Sequence, residues 1–141
     1  MKTESATMPQ SPYEIEFNGE HANVLFYENV ELVTVEPDES EKYRYDLYRI
    51  DGLKNRPSLI DLIERDVDGW LNMAKEMEFK KLADAIRGKR NALLSETDWT
   101  QTTDAPLDGD EVERYRAYRQ ALRDMPGQES FPYEVRWPVL I

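Results

Sequence analysis

Residues 43–71, YRYDLYRIDGLKNRPSLIDLIERDVDGWL, contain the change of period that decides the fold class. Before Asp51-Gly52, the apolar positions Tyr43, Tyr45, Leu47 (or Tyr48) and Ile50 follow the two-residue repeat of a half-buried strand. After Asn55-Arg56-Pro57-Ser58, Leu59, Ile60, Leu62, Ile63, Val67, Trp70 and Leu71 recur at spacings of three and four, the repeat of a helix. Proline is tolerated in a first helical turn, and Asn55 or Ser58 offers a cap. A strand region therefore hands over to a helical one within a few residues.

Toward the N-terminus the strand pattern continues. Tyr13, Ile15 and Phe17 alternate with Glu14 and Glu16, and Asn18-Gly19 is a turn dipeptide. VLFYENVELVTVEP (residues 24–37) predicts one long strand, or two broken at Glu28-Asn29, and Pro37-Asp38-Glu39-Ser40 predicts a polar turn. The aromatic residues suit cross-strand packing. Residues 1–12 are polar and read as a disordered tail. Toward the C-terminus the helical repeat runs through Ala74, Met77, Leu82, Ala83 and Ile86 to Leu94. Gly88 costs about 1 kcal/mol within a helix, so the pattern allows one kinked helix or two meeting between Phe79 and Gly88. A loop follows over residues 97–108. A last helix starts at Asp108 or Asp110 and runs to about Asp124, with Pro126-Gly127 ending it. The tail SFPYEVRWPVLI should lie extended over the helices. The expected fold is α+β: a tail over 1–12, an antiparallel meander over 13–52, a long helical segment over 53–96 and a C-terminal helix module over 97–141, together forming one compact unit.

Charge and composition exclude several function classes. The chain has 141 residues, 29 acids against 18 bases and a net charge of -11, so it lacks the cationic surface needed to bind nucleic acid or an anionic membrane. No apolar run approaches the roughly 18 residues of a membrane span. Without cysteine there is no disulfide, thiolate metal site or cysteine nucleophile. His21 stands alone, the six glycines are dispersed, and an EF-hand count from Asp104 places Tyr115 where a glutamate is required. No catalytic, cofactor or metal constellation emerges. The acid excess is uneven: residues 1–57 carry 12 acids and 6 bases, whereas residues 58–96 carry 8 and 7.

The last helix has two faces. Glu111, Tyr115, Tyr118 and Leu122 form one stripe, and Arg116, Arg119 and Arg123 form another. The arginines either pair with acids of the same chain or make a docking face for an acidic or polar partner. Trp99 and Trp137 read as aromatic plugs that hold a loop or tail to a helix, with partner recognition as the other use of exposed tryptophan.

RNALLSETDWTQTTDAPL (residues 90–107), followed by YRAYRQALRDMPGQESFPYEVRWP (residues 115–138), resembles the phage tail assembly chaperone family. The matching residues include Arg90, Asn91, Leu94, Thr97, Asp98, Trp99, Gln101, Tyr118, Arg119, Leu122, Arg123, Asp124 and Trp137. The resemblance implies a non-enzymatic assembly factor of the bacterial host cytoplasm that binds a phage tail protein such as a fibre, baseplate or tape-measure chain. It implies no cofactor and no nucleic-acid or membrane partner. On this reading the motif residues mainly build the module, and the remaining exposed surface binds clients. The alternatives are a small structural subunit retained in the virion and an acidic DNA-mimic inhibitor, the latter weakened by the arginines of the last helix. Trp70 and Met77 on the apolar face of the long helix also leave room for a homo-oligomer.

Overall fold

The computed structural model describes residues 1–37 and 39–141. Part of the turn expected at Pro37-Asp38-Glu39-Ser40, namely Asp38, lies outside the described residues. Four strands, β1 (Lys2–Ser5), β2 (Tyr13–Asn18), β3 (His21–Val35) and β4 (Ser40–Lys54), precede α1 (Leu59–Glu64), α2 (Val67–Glu96) and α3 (Gly109–Asp124). Short 3-10 turns occupy Asp98–Gln101 and Met125–Gly127. The fold is α+β, as the change of period indicates. The chain divides into two compact units, Met1–Glu78 and Phe79–Ile141, and the boundary falls within α2.

In the first unit the sheet is antiparallel with strand order β1-β4-β3-β2. The expected turn forms one residue later, at Gly19-Glu20 between the paired Asn18 and His21, and Gly19 takes φ +64°, a left-handed value that favours glycine. At Glu28-Asn29 β3 does not break. The register with β4 shifts between Glu28 and Glu31, and Asn29 takes φ 52°. This is a bulge, for which asparagine is well suited because it tolerates the left-handed region.

The N-terminal residues are not a disordered tail throughout. Lys2, Thr3, Glu4 and Ser5 pair with Asp46, Tyr45, Arg44 and Tyr43. The Arg44 guanidinium donates twice to Glu4 Oε1, and the Met1 amine donates to the Leu47 carbonyl. β1 was invisible in the sequence because its backbone, not an apolar side-chain pattern, ties it to the exposed edge of β4.

The core of this unit joins Ala22, Val24, Phe26 and Ile50 of the sheet to Leu59, Ile63 and Ala74 of the helices. These are the inward positions of the two repeats, and full burial of each large side chain contributes about 1.5–3 kcal/mol. Trp70 packs against this core and donates from its indole nitrogen to the Leu62 carbonyl at 3.1 Å.

The helical region breaks between Glu64 and Val67, not between Phe79 and Gly88. Asp66 explains the break. Its carboxylate accepts from Gly69 N at 2.9 Å and its carbonyl accepts from Trp70 N, so it starts α2 as a cap. Gly88 instead lies inside α2, exposed, with no atom within 4 Å of where a Cβ would stand. Gly88→Ala should therefore stabilise the protein by about 0.5–1 kcal/mol. A thermal melt checks this, and a lowered midpoint would show that the helix needs glycine there.

On the other sheet face, Tyr27 and Tyr45 meet edge to face at 5.2 Å, and the Tyr27 hydroxyl donates to Glu14 at 2.9 Å. Burial, helped by the Glu14 hydrogen bond and charge, pushes the Tyr27 phenol up to about 12. The folded state then holds this proton where the unfolded chain, titrating near 10, has lost it. Stability from this group is full below pH 10 and is lost as the pH rises toward 12. Phenolate absorbance, compared between the parent and Tyr27→Phe, should show one tyrosine ionising last. Glu14→Gln should bring that step to lower pH.

Candidate functional site

The second unit gathers Leu94, Thr97 and Asp98 of the family-like motif around one guanidinium. Asp108 starts α3 through a reciprocal capping box. Its carboxylate accepts from Glu111 N at 2.8 Å, and the Glu111 carboxylate accepts from Asp108 N at 3.0 Å. With that start fixed, Arg119 and Leu122 fall on the buried side of α3. Leu122 and Met125 are fully buried, as is Ala83 on α2.

Arg119 is 6% exposed and spans the junction of α2, the 3-10 turn and α3. Its Nη1 donates to the Leu94 carbonyl at 2.6 Å and to Thr97 Oγ1 at 2.8 Å. Its Nη2 donates to Asp98 Oδ1 at 2.6 Å. Thr97 Oγ1 in turn donates to the Leu93 and Leu94 carbonyls at the C-terminal end of α2, where Thr97 N also donates to Leu94. The planar fork of arginine thus satisfies a helix end and an acid at once, an arrangement for which a lysine ammonium lacks the geometry. Thr100, also buried, donates to the Thr97 carbonyl and accepts from Gln101.

The other motif residues surround this junction. Arg90, half-buried, donates twice to the Asn91 side chain. Trp99 meets the Tyr115 ring of α3 at 6.0 Å. Tyr118 is half-buried, and Asp124 accepts from Gln120. The tail folds back within the unit. Gln128 makes two hydrogen bonds to the backbone of Arg136, the Lys89 ammonium sits 4.3 Å from the centre of the Trp137 ring, and Phe131 and Tyr133 stack edgewise on Phe79.

The arginine stripe of α3 is divided by these contacts. Arg119, offered by the sequence both as a module-building residue and as a docking residue, is interior and engaged with its own chain. The physical reason is that Asp98, Thr97 Oγ1 and the Leu94 carbonyl converge on it as acceptors. Arg116 pairs with Glu113 on the surface, and Arg123 is exposed. A second exposed feature involves Trp99, for which partner recognition is the alternative reading. Trp99 remains 47% exposed beside Tyr115, and Tyr115 lines a shallow groove with Glu111, Arg114, Leu140 and Ile141. Tyr115 thus links the Trp99 ring to a groove of mixed apolar and charged lining. Among the described residues no group of three or more histidine or acidic side chains is placed to hold a metal ion, and no helix is long and apolar enough to cross a membrane.

Residues 83–140 match the family model described as phage tail assembly chaperone protein. This match supports the family resemblance carried by the motif, and it covers nearly all of the second unit. The matched segment includes the Arg119 junction, the Trp99–Tyr115 pair and the folded-back tail. The four-stranded sheet lies outside it. No curated protein and no solved structure gives a match to the chain.

Proposed function

We propose that this protein is a phage tail assembly chaperone that binds a tail component in the bacterial host cytoplasm and acts by binding, without covalent chemistry. The observation that carries this reading is the family match over residues 83–140. The geometry supports a division of labour within the segment. Arg119, Thr97, Asp98, Leu122 and Met125 build the module, while Trp99, Tyr115, Leu140 and Ile141 form the client face. Tryptophan and tyrosine are enriched among residues that dominate binding energy, and these two are already held by each other, which lowers the entropy cost of contact.

Co-expression with fibre, baseplate and tape-measure proteins, followed by pull-down, tests the proposal. Capture or solubilisation of one of them is expected, and failure with all of them would overturn it. Trp99→Ala should weaken capture about tenfold or more while leaving the melting midpoint within a few degrees, because the indole is half exposed. Mass spectrometry of purified particles should find the protein absent or substoichiometric. Stoichiometric presence would identify it as a tail subunit instead.

A further inference from the structure

We infer that the open edge of β3 is a docking site for an extended, basic segment of a partner polypeptide, which adds to the sheet as a further strand. β2 covers β3 only as far as the Tyr13–Phe26 pair, with one more hydrogen bond from Tyr27 N to the Pro12 carbonyl. Beyond this, over residues 28–35, β3 pairs with β4 on one side and has no backbone partner on the other among the described residues. Such an edge presents a row of donors and acceptors ready for another strand. Proteins commonly guard such edges with lysine, proline or a bulge. Here the bulge at Asn29 lies at the start of the stretch, and Val30-Glu31-Leu32-Val33-Thr34-Val35 follows with a single charge. Val30 and Leu32 are exposed, Leu32 at 54%.

Charge selects the occupant. Residues 28–46 hold seven acids and two bases. Glu28 is neutralised by Lys75 at 2.6 Å, and Arg44 by Glu4 at 2.8 Å. Glu31, Glu36, Glu39 and Glu41 take part in no ion pair among the described residues. A strand alternating apolar and basic side chains would place its valines against Val30 and Leu32 and its cations near these carboxylates. A second copy of the chain would bring the same acids to the edge and meet repulsion. This edge lies outside residues 83–140, so the inference stands apart from the client face on the second unit.

The test uses the full chain and a fluorescently labelled, end-capped peptide of alternating lysine and valine. Anisotropy should report binding that weakens about tenfold or more from low to high salt, since exposed charges are screened. Amide hydrogen exchange of residues 28–35 should slow when the peptide binds. Glu31→Lys with Glu36→Lys should reduce affinity about tenfold with an unchanged melt, and glutamine at both positions should fall between. Absence of binding would overturn the inference. So would equal binding of a glutamate–valine peptide or of a backbone N-methylated lysine–valine peptide, or binding that leaves exchange at residues 28–35 unchanged. Slowed exchange there that grows with protein concentration and needs no peptide would assign the edge to a second copy, and would overturn it as well.

Discussion

Phe26→Ala should destabilise the first unit by about 3–5 kcal/mol, the usual cost of truncating a buried phenylalanine. Phe26 is 1% exposed and sits where the sheet meets the helices, in one cluster with Ile50, Leu59, Ile63 and Ala74. The ring also faces Tyr13 at 6.5 Å across β2 and β3, so its removal opens a cavity bounded by a strand that cannot close in without losing its ladder. Urea denaturation followed by Trp70 fluorescence measures the loss, because Trp70 packs against this same cluster. Phe26→Leu should cost about 1.5 kcal/mol or less if the site mainly needs volume. Phe17→Ala on the same sheet should stay within about 0.5 kcal/mol, since Phe17 is 52% exposed. Equal losses at Phe26 and Phe17 would mean that the core does not lie between this sheet face and the helices.

Arg119→Ala should destabilise the second unit by about 2–4 kcal/mol. The substitution removes donors from the Leu94 carbonyl, Thr97 and Asp98 together and leaves the end of α2 without its cross-link to α3. The exposed Asp98 regains water, and the Leu94 carbonyl keeps the Thr97 N and Oγ1 donors, so most of the loss comes from the missing link between α2, Asp98 and α3. Arg119→Lys should recover less than half of the loss, because one ammonium cannot reproduce the two-nitrogen fork. Asp98→Ala leaves the buried guanidinium without its acid and should cost about 1–2 kcal/mol. Fluorescence of Trp99 and Trp137 in a Trp70→Phe background follows the second unit. A loss below about 1 kcal/mol for Arg119→Ala would show that the guanidinium does not hold the junction. If Arg119 instead belonged to a partner face, Arg119→Ala would abolish client capture with an unchanged melt.

Much of this protein is written in short-range patterns. The two-residue repeat of β2 to β4, the handover at Pro57, the start of the helical region at Leu59 and the acidic start and proline–glycine stop of α3 all follow from local preferences that one segment expresses alone. The motif over residues 90–138 was equally legible, because its order along the chain is itself the signal. Tertiary structure decided what depends on a distant partner. β1 exists because β4 offers it a ladder some 40 residues away in sequence, as in the pairing of Lys2 with Asp46. The break at Asp66 is by contrast a local device, a cap three residues from Gly69, and α2 runs on through Gly88 despite a glycine cost of about 1 kcal/mol. Arg119 and Arg123 look alike on a helical wheel, yet only Arg119 finds Asp98, Thr97 and the end of α2 within reach. Burial of a charge is settled by whether acceptors converge on it from other elements, and that convergence is a property of the folded chain.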